Sequence, residues 1–85
     1  MSYRIRLDAS VDRKLEKLPL NDKQAIVRRI ARLAEDPYFQ ARKVRGSREG
    51  GFRVRQGDFR IVYKVVDQEV IVYDLDPRDK IYKRK

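Results

Sequence analysis

Cysteine, histidine and tryptophan are all missing from the 85 residues. Without cysteine there are no disulfides and no thiolate nucleophile or ligand. Without histidine there is no imidazole acid or base. Only carboxylates remain as side-chain metal ligands, so neither a zinc site nor any other metal or cofactor is expected. Long apolar runs are missing too. None approaches bilayer length, and no apolar signal core follows Met1, so neither a membrane nor a secreted location is expected. A domain this small without disulfide staples suits a reducing cytoplasm. The length allows one domain over 1–85 and one modest core.

Positive charge is what the chain has in excess. Lys and Arg number 22 against 13 Asp and Glu, a net charge of +9. Residues 1–42 carry 10 bases and 6 acids, and residues 43–85 carry 12 and 7, so a basic tail on a neutral domain does not account for it. A folded domain this basic is expected to bind a polyanion, above all nucleic acid; an acidic protein is the other partner that charge allows.

Hydrophobic periodicity changes twice along the chain. Tyr3, Ile5 and Leu7 alternate with Arg4 and Arg6, the pattern of a strand with one buried face. Val11, Leu15 and Leu18 then take helical spacing, with Ser10 as the expected cap and Pro19 as the stop. A second helix is expected from Asn21, with Gln24 completing a capping box; Ile26, Ile30, Leu33 and Ala34 line one face and Asp36-Pro37 closes it. Arg28, Arg29 and Arg32 are expected on its solvated side.

Residues 38–51 have no period and hold three glycines, so a basic mobile loop is expected. Strands return with Phe52–Arg55, a turn at Gln56-Gly57-Asp58, Phe59–Val65, a turn at Asp67-Gln68, and Val70–Leu75. Tyr3, Tyr63 and Tyr73 fall at core positions. The order predicts an α+β fold. An N-terminal strand and a helical hairpin precede an antiparallel meander, and both helices cover one face of a single sheet. The first strand joins that sheet at its centre or edge.

Alternation gives the site. If Phe52, Val54, Phe59, Ile61, Tyr63 and Val65 face the helices, Arg53, Arg55 and Arg60 share the opposite face. Like charges side by side on a sheet cost stability. Arginine is suited to phosphate, in the ground state and as charge grows in a transition state. The plain alternative is a solvated strand face.

The run Phe52-Arg-Val-Arg-Gln-Gly-Asp-Phe-Arg-Ile-Val-Tyr-Lys-Val65 resembles the central hairpin of the RelE/ParE toxin superfamily. Lys17-Leu18-Pro19, Lys43-Val44-Arg45-Gly46 and Arg78-Asp79-Lys80-Ile81-Tyr82 are similar to further elements of that family, in the same order. The resemblance implies a RelE-like fold and a catalytic set of Arg53, Arg55, Arg60, Arg78 and Tyr82. It implies a toxin of a type II toxin–antitoxin system that cuts messenger RNA on the ribosome. The ribose 2′-hydroxyl would attack the adjacent phosphate, with no metal. Lys43, Arg45, Arg48, Lys80 and Lys83 would be RNA contacts. The partners implied are a cognate antitoxin and the ribosome with its messenger and ribosomal RNA. The free toxin would be a monomer.

This chain departs from the RelE pattern in two places. Arginine stands at 53 and 55 where lysine is common, and arginine does not give up a proton, so a general-base role does not carry over to Arg55. Asp76-Pro77 precedes Arg78, placing a carboxylate near the site. Two other readings share the scaffold: a ParE-like inhibitor of DNA gyrase, and a basic RNA-binding module without activity.

Overall fold

The computed structural model describes residues 2–44 and 51–77. Strand β1 (Arg4–Leu7) leads into helix α1 (Ala9–Glu16) and helix α2 (Leu20–Leu33). Four strands follow: β2 (Arg42–Lys43), β3 (Phe52–Gln56), β4 (Phe59–Val66) and β5 (Glu69–Pro77). They form one sheet in the order β1-β5-β4-β3-β2. From β2 to β5 each strand is antiparallel to the next, as the meander required. Strand β1 adds at the edge, parallel to β5, with Ile5 opposite Val70 and Leu7 opposite Val72. The sheet is therefore mixed. An N-terminal strand separated from its neighbour by the whole helical hairpin can enter in either direction.

Both helices lie on one face. Val11 and Leu15 of α1 and Ile26, Ile30 and Leu33 of α2 pack on Val54, Ile61, Tyr63, Val70, Val72 and Leu75 in one cluster, and Ile5 and Leu7 pack against it. The helical spacing of the first five and the two-residue spacing of the strand members are what bring these side chains together.

Both helices begin earlier than their polar residues suggest. Asp8 caps α1, and its carbonyl accepts from the amides of Val11 (2.9 Å) and Asp12 (3.2 Å). Ser10 lies inside the first turn and donates its hydroxyl to the Asp8 carboxylate at 2.9 Å. Pro19 caps α2, and its carbonyl accepts from the Lys23 amide at 3.0 Å. Its ring fixes φ, and with ψ at 150° it gives the extended turn-in that a cap needs without a side-chain bond. Asn21 therefore sits within the helix and the capping box does not form. Asp22 still places a negative charge in the first turn, where the helix dipole favours it.

Arg29 is not solvated. It shares the face of Ile26, Ile30 and Leu33 and is only 8% exposed. Its Nη2 donates to the Phe39 carbonyl at 3.1 Å, and its guanidinium lies 6.0 Å from the centre of the Phe39 ring. Arg32 stacks on the same ring at 5.6 Å. Burial pushes the Arg29 pKa below its ordinary value. The expectation of a solvated Arg29 fails because the position three residues after Ile26 and four before Leu33 is on the buried face, and the chain after α2 returns a carbonyl and a ring to meet the cation there.

Tyr63 is fully buried on β4, and its hydroxyl donates to the carbonyl of Pro37, which is buried as well. The ring stacks on Phe52 at 5.9 Å, and Phe52 meets Tyr38 edge-on at 5.4 Å. Tyr3 packs on the core as expected. Tyr73 does not. The ladder between β4 and β5 slips after Val62, which faces Asp74, to Tyr63, which faces Val72. Tyr73 is the extra residue of this bulge and stays partly exposed.

Burial raises the Tyr63 pKa from its ordinary 10 to about 12. The neutral phenol is thus favoured in the fold. Its contribution to stability is complete below pH 10 and is lost as pH rises through 12. Tyr63→Phe is expected to cost about 1–2 kcal/mol at neutral pH, because the Pro37 carbonyl loses its donor. The wild-type advantage should then close between pH 10 and 12, as roughly 2–3 kcal/mol of proton linkage is lost only by the wild type. Denaturant titrations of both proteins across that range check this; parallel curves would show that the hydroxyl titrates alike folded and unfolded.

Candidate functional site

The hairpin of β3 and β4 builds the site. Gly57 opens its two-residue turn with φ +60°, and a Cβ there would meet nothing within 4 Å. The demand on glycine is therefore conformational rather than steric, as in the type II′ hairpin turn. Because the turn is tight, the register is fixed: Gln56 faces Phe59, Arg55 faces Arg60, Val54 faces Ile61 and Arg53 faces Val62. Val54 and Ile61 are buried under the helices, so Arg53, Arg55 and Arg60 stand on the other face. Cross-strand partners on one face have Cβ atoms roughly 5 Å apart. Arg55 and Arg60 are thus held as a like-charged pair.

The neighbouring strands complete the face. Arg42 of β2 faces Arg53. On the other flank Asp76 of β5 faces Arg60, and Asp74 faces Val62. Asp74 is already engaged, accepting from Lys14 Nζ at 3.0 Å and from the Leu75 amide at 2.9 Å. Among the described residues the ion pairs are Lys14–Asp74 at 3.0 Å and Arg6–Glu69 at 3.7 Å. None involves Arg42, Arg53, Arg55 or Arg60. Four guanidiniums therefore gather on three adjacent strands, with one carboxylate, Asp76, beside Arg60. Arg42 and Arg55 are exposed; Arg53 and Arg60 are half-buried.

The grouping of Arg53, Arg55 and Arg60 follows the alternation of the sequence. Lys43 does not join it: opposite Phe52, it lies exposed on the helix-bearing side at the sheet edge. Part of the expected loop is strand β2. Arg42, absent from the sequence-based set, takes the place beside Arg53, and a two-residue strand holds too short a run to display a period. Arg45, Arg48, Arg78, Lys80, Tyr82 and Lys83 lie outside the described residues.

An open sheet face bearing four guanidiniums that no ion pair among the described residues neutralises is suited to phosphate groups. The comparisons with known proteins agree with the fold that carries it. A family model described as the ParE toxin of type II toxin–antitoxin system, parDE, matches residues 5–82. The chain belongs to this family. Within the wider RelE/ParE group, the toxin RelG of Mycobacterium tuberculosis is 30% identical over 99% of this chain and 100% of its own length. The mRNA interferase toxin RelE of Escherichia coli K12 is 26% identical over 86% of this chain and 78% of its own. Among solved structures, the toxin–antitoxin complex RelBE2 of Mycobacterium tuberculosis holds a chain that superposes with a TM-score of 0.82 at 27% identity, covering 92% of this chain and all of that one. The RelE-like architecture read from the sequence is the architecture of these relatives. The chain is a toxin of the type II toxin–antitoxin class. Among its described residues no helix is long and apolar enough to cross a membrane.

Proposed function

We propose that this toxin is a ribosome-dependent endoribonuclease that cuts messenger RNA. One observation carries the reading: Arg55 and Arg60 face each other directly across the β3–β4 ladder, with Arg53 and Arg42 on the same face. Such an arrangement opposes folding and favours a bound polyanion. The name of the Escherichia coli relative, an mRNA interferase, supports RNA as that polyanion.

In the proposed reaction the 2′-oxygen forms a bond to the adjacent phosphorus while the bond from phosphorus to the 5′-oxygen breaks. The 2′-hydroxyl proton leaves to a base, and the 5′-oxygen takes up a proton. The products are a 2′,3′-cyclic phosphate and a free 5′-hydroxyl. Negative charge grows on the non-bridging oxygens between these states. Arg53, Arg55 and Arg60 hold the phosphate and oppose that charge, and metal is not needed for this task. Arg78 stabilises the phosphate or the leaving oxygen. Tyr82 stacks on a splayed base or moves a proton. Lys43, Arg45, Arg48, Lys80 and Lys83 contact ribosomal RNA around the site. Arginine keeps its proton, so the proton goes to Tyr82, to a group of the ribosome, or to no dedicated base.

The test is primer extension on a defined messenger in a translating system, with naked RNA as control. Cuts confined to ribosome-bound codons support the proposal. Intact messenger with every active preparation would end it. The ParE description of the matching family makes inhibition of DNA gyrase the next assay in that case.

The partner proposed is a cognate antitoxin, since the similar RelBE2 chain was solved in a toxin–antitoxin complex. A toxin of net charge +9 calls for an acidic toxin-binding segment on that partner. Association should slow and weaken steeply as salt rises from 50 to 500 mM. Calorimetry or surface binding at several salt concentrations reads this directly, and an unchanged affinity would remove charge from the account. Free toxin is expected to sediment as a monomer in the cytoplasm's ionic strength.

A further inference from the structure

We infer that Arg42 joins Arg53 in a second phosphate subsite beside the Arg55–Arg60 pair, with Arg53 shared between the scissile phosphate and its neighbour, so that this sheet face takes two consecutive phosphates of one RNA strand. The inference rests on the endonuclease reading and deepens it.

The register carries it. Arg42 faces Arg53 across β2 and β3, and Arg55 faces Arg60 across β3 and β4. The two pairs are therefore joined through β3 and separated by two residues along it. Two residues of strand span about 7 Å. That is the order of the distance between neighbouring phosphates in an extended single strand. Each pair offers guanidiniums from two strands to one anion, and both point from the same open face. No ion pair among the described residues neutralises either one.

A simpler purpose for Arg42 is to guard an edge strand against pairing with other chains. That purpose needs a charge on β2 and is served by Lys43 alone. It does not call for a second cation placed opposite Arg53, where repulsion works against the strand pairing. Two facing like charges are explained when an anion lies between them. The gradient across the face gives the strand a direction as well. Asp76 flanks Arg60 on β5, so phosphates are repelled beyond that side and the chain of anions extends toward β2.

The test uses the full-length protein and 2′-O-methyl dinucleotides, which are not cut. One carries only its internal phosphate. Two others carry one further phosphate, at the 5′ or the 3′ end. Affinities are read by NMR titration at low ionic strength. For wild type, one of the two-phosphate ligands should bind about tenfold more tightly than the one-phosphate ligand, the size of a charge-assisted contact. Its salt slope should be steeper by about 0.7, one added phosphate contact. Arg42→Gln should abolish that advantage and leave the one-phosphate affinity unchanged; Arg42→Lys should restore part of it. Melting temperatures of the variants should equal or exceed the wild type, since a repulsion is removed.

If Arg42→Gln keeps the full advantage, the second subsite is overturned and the endonuclease reading stands. If Arg60→Ala leaves one-phosphate binding untouched, the endonuclease reading is what fails. If no dinucleotide binds and an oligoglutamate peptide does, both fall and the face belongs to an acidic protein; if nothing binds, both fall as well.

Discussion

Arg60→Ala is expected to slow cleavage of ribosome-bound messenger by roughly 10²–10³-fold, the loss seen when one preorganised donor to a developing oxyanion is removed. The melting temperature should stay the same or rise. Arg60 closes the guanidinium group on its β5 side: it sits on β4 between Arg55 on one strand and Asp76 on the other. In the proposed reaction its removal would leave the growing charge on the phosphate with Arg55 alone of the cross-strand pair, and it also removes a like-charge contact. Time courses of primer extension, beside thermal denaturation of the same samples, separate the two effects. A variant that cut at the wild-type rate would take Arg60 out of the mechanism. A variant that lost rate and stability together would make its role structural.

Ile61→Ala, one residue further along the same strand, is expected to do the opposite. Ile61 is fully buried, faces Val54 on β3 and Leu75 on β5, and sits in the middle of the cluster beneath both helices. Removing three carbons there costs the transfer energy of the lost atoms and leaves a cavity, together about 2–5 kcal/mol. A domain of this size has only roughly 4–13 kcal/mol in all. The melting temperature should fall by more than about 10 °C. Activity per folded molecule at low temperature should be near that of wild type. Calorimetry against a burst assay at 10 °C checks both halves. A loss below about 1 kcal/mol would mean that the helices collapse onto the sheet to fill the gap.

These two neighbours show why so much was legible in the sequence. A strand buried on one face writes its two purposes on alternate residues, so Phe59, Ile61, Tyr63 and Val65 declare the core while Arg60 declares the open face. The hairpin turn at Gly57 then fixes which arginines meet. The helices were equally plain from the spacing of Val11 and Leu15 and of Ile26, Ile30 and Leu33.

What was not legible depends on partners distant in sequence. Nothing local says that β1 runs parallel to β5, or that β5 bulges at Tyr73 and turns that ring out of the core. Arg29 has the spacing of a core residue and the chemistry of a surface one. Only the return of the Phe39 carbonyl and ring resolves the conflict. Arg42 was hidden for a related reason: β2 is two residues long, and its face is assigned by β3 rather than by its own pattern. The caps at Asp8 and Pro19 use backbone conformation rather than a side-chain bond, which left Ser10 and Asn21 as misleading signposts.

The parallel pairing of β1 with β5 has a consequence for how the molecule comes into being. Arg4 lies opposite Glu69, so the first strand of the chain waits for the last before it finds its place. Loop closure over such a separation is slow compared with closing the hairpin at Gly57, whose strands are joined by two residues. On a translating ribosome the arginine hairpin can form early, while the sheet that supports it is closed only after β5 has emerged. Assembly of the toxin is thus gated by its own synthesis: β5 must have left the ribosome before β1 can find its place.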